Sequence, residues 1–194
     1  MQPMNAATGL AFDPASLARR RAVLIALCIT GASSVVSPAF ADTWDNSTGS
    51  SLWSTTNNWA DNTEPTSSDP VVFPTPIPLG SANIALSSGE QAASITFNDS
   101  YHLGAGNVTL SGAGGSITVA GGKTATIGTT VVFGSVGLSK KGTGTLILSP
   151  SGGNGFSGPI TVEGTLSVSK DSALGNAGNT IQLGTGFFTT QAGT

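Results

Sequence analysis

The chain contains a single histidine, His102, and histidine is the side chain most often used as a general base near neutral pH. Catalysis by a Ser-His-Asp arrangement also needs a nucleophile held against the imidazole, and the sequence has no Gly-x-Ser-x-Gly motif to supply one. Tyr101 and Leu103 flank the histidine, as the alternate residues of a short strand would. We therefore predict that His102 lies on the solvent side of a strand and is not catalytic.

Paired carboxylates would carry a different chemistry, since glycosidases hold two carboxyl groups about 5 to 10 Å apart. The acidic residues of this chain occur singly, and it has neither an Asp-x-Asp-x-Asp-Gly loop nor a Gly-Gly-x-Gly-x-Asp repeat to bind calcium. A pair of acids on neighbouring turns of a coil is left open, because such turns lie about 4.8 Å apart. The sequence predicts no catalytic residues, no metal site, no cofactor and no enzymatic activity.

Two further patterns are typical of turns. The run Gly112-Ala113-Gly114-Gly115 lacks the following helix and the Lys-Ser/Thr pair that a phosphate-binding loop requires. Lys140 and Lys141 are adjacent, which favours a solvated corner over contact with an anionic glycan.

Trp44, Trp53 and Trp59 are the residues for which a binding role competes most strongly with a structural one. Exposed indole faces bind sugar rings, but a solenoid also needs large apolar groups to cover its first turn. The same segment holds a cluster of prolines: Pro65, Pro70, Pro74, Pro76 and Pro78. We predict that residues 42–92 form an N-terminal Trp/Pro-rich capping segment, with glycan contact at the tryptophans as a weaker expectation.

The first residues have the pattern of an export signal. A positive cluster, Arg19–Arg21, precedes an apolar run from Ala22 to Ile29, which is well short of the roughly 20 residues that a membrane-spanning helix needs. The segment Ser37-Pro38-Ala39-Phe40-Ala41 supplies an A-x-A cleavage site. We predict a signal peptide over residues 1–41, cleaved between Ala41 and Asp42. The residues around the arginines do not match a twin-arginine signal.

Removal of this signal changes the chemistry of what remains. The single cysteine, Cys28, leaves with it, and the bulky Leu27 before it does not suit a lipid-attachment site. The mature chain would carry no arginine, four lysines and nine acids, a formal charge of −5. Such a chain lacks the cations that bind nucleic acid or anchor a protein to an anionic membrane.

Short alternating stretches recur from Ala93 onward, each with apolar residues on one face and Thr, Ser or Gln on the other. They are Ile95–Phe97, Val108–Leu110, Ile117–Val119, Ile160–Val162, Leu166–Val168 and Ile181–Leu183. Their close spacing, self-similarity and glycine corners favour stacked rungs over a β-sandwich, which is the alternative. We predict an all-β protein with a right-handed parallel β-helix over residues 93–194. Gly142 and Gly144 are expected at corners closed to β-branched residues.

One stretch resembles a known family. Residues 138–149 read LSKKGTGTLILS and resemble the opening of the autotransporter-associated β-strand repeat, also called the passenger-associated transport repeat. Residues 155–168, GFSGPITVEGTLSV, are similar to its second half, and residues 171–175, DSALG, to its closing phrase. One copy is thus identified at about residues 138–175. The N-terminal segment resembles the start of such proteins. The residues that carry this resemblance are, in order, Trp44, Leu52–Ser54, Asn58–Trp59, Pro65 and Asp69–Phe73.

The resemblance implies a β-helical passenger of type V secretion, carried across the inner membrane by its signal peptide and across the outer membrane by a C-terminal translocator barrel. It implies that the repeat assists secretion and that the passenger forms a stalk or adhesin scaffold at the cell surface or outside the cell. Surface glycans or host proteins would be its partners. The chain has no ten-residue alternating strands with aromatic girdles, so we expect the barrel to lie outside it and the solenoid to be truncated at the C-terminus. The alternative is a carbohydrate-binding or polysaccharide-degrading β-helix.

Overall fold

The computed structural model describes residues 40–112, 115–132 and 137–191, which belong to one compact unit. The predicted signal peptide lies outside the described residues, except for its last two positions. Part of the glycine run at 112–115 and the last three residues of the chain also lie outside them. None of the helices in the described ranges is long and apolar enough to cross a membrane.

Short strands of two to four residues make up three parallel sheets in the described part of the chain. Sheet A contains, in spatial order, β1 (Asp42–Thr43), β2 (Pro70–Phe73), β5 (Ser94–Phe97), β8 (Ser116–Val119), β11 (Leu138–Lys141), β13 (Ile160–Val162) and β15 (Ile181–Leu183). Sheet B contains β3 (Asn83–Ala85), β6 (Tyr101–Gly104), β9 (Thr124–Ile127), β12 (Thr145–Leu148), β14 (Thr165–Val168) and β16 (Phe187–Thr190). Sheet C contains β4 (Glu90–Ala92), β7 (Asn107–Leu110) and β10 (Thr130–Val132).

From β2 to β10 the chain visits sheets A, B and C in turn, and from β11 to β16 it alternates between sheets A and B. In sheets A and B a strand therefore pairs with the strand one full turn later in the sequence. Val71 pairs with Ile95, and Ile95 pairs with Ile117. The result is a β-solenoid of about five turns. The prediction of a parallel β-helix is confirmed. The β-sandwich alternative is wrong, because the ladders between the described strands are parallel.

Alternation within each strand builds the core. Strands such as β5 and β9 bury every second residue and leave the others half-exposed. Equivalent buried residues of successive rungs then stack in columns, and one column in sheet B runs through Ile84, Leu103, Ile127, Leu148 and Val168. Each such side chain contributes about 1.5–3 kcal/mol by leaving water. A rung can bury its apolar residues only against its neighbours, so the stability of the solenoid comes from contacts between rungs and not from any single rung.

The stacking begins earlier than Ala93. Strands β2, β3 and β4 pair with β5, β6 and β7, so the first complete rung lies within the segment predicted as a cap. Its residues were harder to recognise because prolines and turn residues interrupt the alternating pattern. The cap itself stays a prediction.

The third side of the rung changes after β10. In the following rung no strand pairs with β10 in the described residues: Val131 N donates to Asn154 Oδ1 at 2.9 Å, Gly155 N donates to the Val131 carbonyl at 3.2 Å, and Asn154 Nδ2 donates to Ala173 O at 2.7 Å. A short 3₁₀ helix, Asp171–Leu174, occupies the corresponding part of the next rung. Two similar helical turns, Thr56–Asn58 and Pro78–Gly80, lie near the N-terminal end of the stack.

Candidate functional site

His102 lies on β6 with its side chain exposed, as predicted. A Cβ built at Gly104 or Gly128 would lie 3.0 or 3.1 Å from its ring, so the imidazole lies across these two glycines. Its neighbours in the adjacent strands are Asn83 and Thr126. Across the described ranges, no group of three or more His, Cys, Asp or Glu residues is placed to hold a metal ion.

A carboxyl pair is present that the sequence did not identify. Glu64 and Glu90 hydrogen-bond to each other, and the Glu90 side chain is buried and accepts the Ser87 N–H at 2.9 Å. The bond to Glu90, together with burial and the neighbouring charge, raises the pKa of Glu64 to about 7. Glu64 lines an open cavity of about 300 Å³, together with Pro65, Thr66, Gly89 and Gln91.

The geometry of this pair does not match glycoside hydrolysis. Retaining and inverting glycosidases separate their carboxyl groups by about 5 to 10 Å, so that a sugar or a water fits between them. Glu64 and Glu90 are in direct contact, which is the arrangement of two carboxyls that share a proton. We interpret the pair as a contact that ties the loop around Glu64 to strand β4.

This contact predicts a dependence of stability on pH. Because the folded-state pKa of Glu64 is raised to about 7, the folded chain holds a proton that the unfolded chain releases near pH 4.5. The stabilisation is complete below pH 4.5 and is lost as the pH rises through 7. We expect the thermal midpoint to fall by several degrees between pH 5 and pH 8, and Glu64→Gln to flatten that fall.

Thermal melts by circular dichroism at both pH values are the measurement, with Asp171→Asn as the matched control because that carboxyl lies at the opposite end of the stack. A Glu64→Gln variant that keeps the full wild-type pH dependence would rule out the shared proton.

The tryptophans form one aromatic cluster at the N-terminal end of the stack. Trp59 meets Trp44 and Trp53 edge to face, with ring centroids 5.1 and 4.9 Å apart, and Phe73 lies 5.9 to 6.1 Å from all three. Phe73 in turn stacks on Phe97 of the next rung at 5.1 Å. The cluster therefore continues into the buried side chains of sheet A, to which Phe73 and Phe97 belong.

These indoles are core residues rather than a sugar platform. All three tryptophans are 0% exposed, and a platform requires an indole face open to solvent. The weaker expectation of glycan contact at Trp44, Trp53 and Trp59 therefore gains no support. Trp59 Nε1 donates to the Trp53 carbonyl at 2.8 Å, whereas Nε1 of Trp44 and of Trp53 has no hydrogen-bond partner within the described residues.

A solvated corner was predicted at Lys140 and Lys141, and only one of the two side chains is exposed to solvent. Lys141 is exposed, as a solvated corner requires, but Lys140 is 1% exposed and points into the core. Its Nζ donates to the carbonyls of Lys141 at 2.8 Å, Gly142 at 2.7 Å and Glu163 at 2.9 Å. Burial lowers the pKa of Lys140 to about 8, and the charge of Glu163 acts in the opposite direction. The prediction of a solvated corner is wrong for Lys140, because β11 turns this residue inward.

A second lysine joins rungs on the outside. Lys123 Nζ lies 2.6 Å from Asp99 Oδ1, one turn earlier in the coil, and Thr75 from the turn before that donates its hydroxyl to Asp99 Oδ2 at 2.9 Å. The hydrogen bond from Lys123 is the main cause that lowers the pKa of Asp99 to about 2. Three successive corners are thus linked at the surface, where such an ion pair has a structural rather than a chemical role.

Comparison with known proteins gives one informative relative. The chain is 39% identical, over 147 residues, to the adhesin BmaC autotransporter of Brucella suis biovar 1 (strain 1330). The matched stretch covers 71% of this chain but only 4% of the adhesin, so the chain spans a small part of that protein's length. No protein-family model and no solved structure matches the chain. The relative and the β-solenoid fold together confirm the resemblance to an autotransporter passenger repeat.

Proposed function

We propose that this chain, a homologue of a short stretch of an autotransporter adhesin, is a non-enzymatic scaffold segment in the passenger of an exported bacterial surface protein. The observation that supports this most strongly is the uninterrupted parallel stack, in which the described strands of sheets A and B pair with those of neighbouring rungs. A stack of this kind can be lengthened rung by rung without changing its cross-section. It therefore suits a stalk that displays other parts of a long protein.

The chemistry of the described surface is consistent with a scaffold. The single histidine lies across two glycines, the close carboxyl pair lacks the spacing of a glycosidase, and the buried lysine is bound to backbone carbonyls. The outward positions of sheet A are mainly hydroxyl residues, and Thr161 Oγ1 donates to Ser139 Oγ at 3.2 Å across two rungs. Surface glycans or host proteins are the expected partners of the whole protein. We infer that they are not bound through a catalytic cleft in this segment.

Export requires the predicted signal peptide. We expect the mature protein to begin at Asp42, because Arg19–Arg21, the short apolar run and the A-x-A site stand in the order that signal peptidase uses. Asp42 also starts strand β1, so cleavage before it would leave the strand intact. N-terminal sequencing of exported protein tests this, and material that still begins at Met1 would contradict it.

A display experiment tests the function. The chain, with its own signal, is fused in front of the translocator barrel of an autotransporter, and folded protein at the cell surface is measured by resistance to added protease. We expect the chain to reach the surface as a protease-resistant unit and residues 138–175 to contribute to the yield. A chain that is exported across the inner membrane but stays behind the outer membrane would argue against a passenger role.

A further inference from the structure

Asn154 joins three successive rungs of the solenoid. Its side chain is 8% exposed, and both polar atoms bond to backbone of other rungs: Val131 N donates to Oδ1 at 2.9 Å, and Nδ2 donates to the Ala173 carbonyl at 2.7 Å. The backbone adds two more bonds, from Asn154 N to the Ser172 carbonyl at 2.9 Å and from Gly155 N to the Val131 carbonyl at 3.2 Å. These contacts connect the rung of β10 to the next two rungs.

The residue that follows gives Asn154 a chemistry of its own. Asn154-Gly155 is the one Asn-Gly pair in the sequence. Asparagine is a thermolabile residue, and a following glycine offers no side chain to hinder the approach of its nitrogen to the asparagine amide. The sequence therefore has one position at which spontaneous deamidation is favoured above the others.

The reaction balances with water as the sole co-reactant. The Gly155 nitrogen gives up its proton and attacks Asn154 Cγ, and the new C–N bond closes a five-membered imide. Nδ2 leaves with that proton as ammonia. Water then adds to one of the two imide carbonyls and opens the ring, which leaves aspartate or isoaspartate at position 154.

The contacts that join the rungs also hold the reacting groups. The Gly155 N–H is engaged by the Val131 carbonyl, and the Asn154 amide is fixed at both ends by Val131 N and the Ala173 carbonyl. Ring closure requires the Gly155 nitrogen to release its proton and the amide group to turn towards it. Neither movement is possible until the rung opens locally, so the rate in the folded chain is limited by that opening.

The products do not fit the place that the asparagine leaves. An aspartate has no N–H to offer, so its carboxylate oxygen would face the Ala173 carbonyl with no donor between them, at a site where the side chain is buried. An isoaspartate moves one methylene from the side chain into the backbone. The bonds to Val131 and to Ser172 could then not be made together.

We propose that Asn154-Gly155 is a deamidation site controlled by the stacking of the rungs. The site is closed in the folded solenoid and open while the chain is unfolded, and its product cannot complete the stack. Each period that the chain spends unfolded therefore converts part of it irreversibly. The site limits how long an unfolded chain keeps its ability to assemble the rungs after β12.

Peptide mass spectrometry measures the reaction, because deamidation exchanges an NH₂ group for OH. The full chain is incubated at one pH and temperature in buffer and in guanidinium chloride. We expect Asn154 to deamidate at least about tenfold more slowly in buffer, since the rung must first open. Equal rates under the two conditions would overturn the proposal. In denaturant, Gly155→Ala should slow the reaction, and an unchanged rate would contradict attack by the Gly155 nitrogen.

Ala177→Gly supplies the matched control. It creates a second Asn-Gly pair at Asn176, whose side chain and whose neighbour Ala177 are exposed. We expect Asn176 in this variant to react in buffer within about threefold of its rate in denaturant. If Asn176 were protected as strongly as Asn154, the contacts of Asn154 would not be the cause of its protection, and the proposal would fail.

Refolding tests whether the product is excluded from the stack. The Ala177→Gly chain is partly deamidated in denaturant, refolded by dilution and treated with protease, and the resistant fraction is analysed. We expect chains deamidated at position 154 to be depleted at least about fivefold from that fraction, whereas those deamidated only at position 176 should keep their proportion. Deamidated position 154 at its original proportion in the resistant fraction would overturn the proposal.

Discussion

Gly144→Val is expected to destabilise the solenoid by about 3 kcal/mol or more, a large part of the stability of a domain of this size. The cause is steric. A Cβ at Gly144 would lie 2.2 Å from the carbonyl oxygen of Ala120 and 2.8 Å from that of Lys123, both of them backbone atoms of the preceding corner. The Lys123 carbonyl accepts a hydrogen bond from Thr145 N of the next rung at 2.9 Å, and the Ala120 carbonyl accepts one from Lys123 N within the corner at 3.1 Å. The new side chain can be placed only by separating the rungs.

Gly142→Val should be similarly harmful for two reasons, a φ of +73° and a Cβ that would lie 2.4 Å from the Val119 carbonyl. Gly152→Val is the matched control, since its Cβ would meet nothing closer than Thr130 Oγ1 at 3.8 Å. Urea unfolding of the three variants is the measurement. We expect substitutions at Lys123 and His102 to resemble the control. Equal midpoints for Gly144→Val and Gly152→Val would show that the corners do not stack as described.

Trp53→Ala should cost about 3–5 kcal/mol, the range measured when a large buried aromatic residue is truncated. The indole is 0% exposed and meets Trp59 at 4.9 Å and Phe73 at 5.9 Å. Its loss would open a cavity beside Phe73, whose ring continues the column to Phe97. We therefore expect the damage to spread from the N-terminal end into the rungs of β2 and β5.

Leu52→Ala is the control for this prediction, because Leu52 is the adjacent residue and is 44% exposed. Its truncation should change the unfolding midpoint little. Hydrogen exchange adds a spatial readout: in Trp53→Ala the amides of β2 and β5 should lose protection before those of β12 and β14. Trp53→Ala that unfolds no more easily than Leu52→Ala would mean that the aromatic cluster does not support the stack.

The fold could be predicted because it follows from the sequence pattern within each short strand. Each strand alternates apolar and polar residues, as in Ile95-Thr96-Phe97 and Ile117-Thr118-Val119, and glycine marks the corners. Such a pattern carries its own period and needs no knowledge of distant residues. The first rung was harder to recognise, since β2 begins at Pro70 and the two strands that follow it are only three residues long.

The polar contacts could not be predicted in the same way, because they depend on which rung lies on which. Glu64 and Glu90 meet only after the chain has turned through the first rung. The charge of Lys140 predicted an exposed side chain, but its place in the apolar/polar alternation of the strand predicts a buried one. Leu138-Ser139-Lys140 occupies the same alternating positions as Ile160-Thr161-Val162. The phase of the alternation was the signal that placed this lysine inside.

Successive rungs are joined by parallel backbone hydrogen bonds in one register, and scalar couplings across those hydrogen bonds test this most directly. Nuclear magnetic resonance of the deuterated chain should show couplings from Asn98 N to the Phe73 carbonyl, from Ala120 N to the Phe97 carbonyl, and from Gly144 N to the Val119 carbonyl, contacts of 2.9, 2.9 and 3.1 Å. These link consecutive turns at one corner of the coil. Couplings that instead join neighbouring strands of the sequence in antiparallel pairs, as in a β-sandwich, would contradict the solenoid.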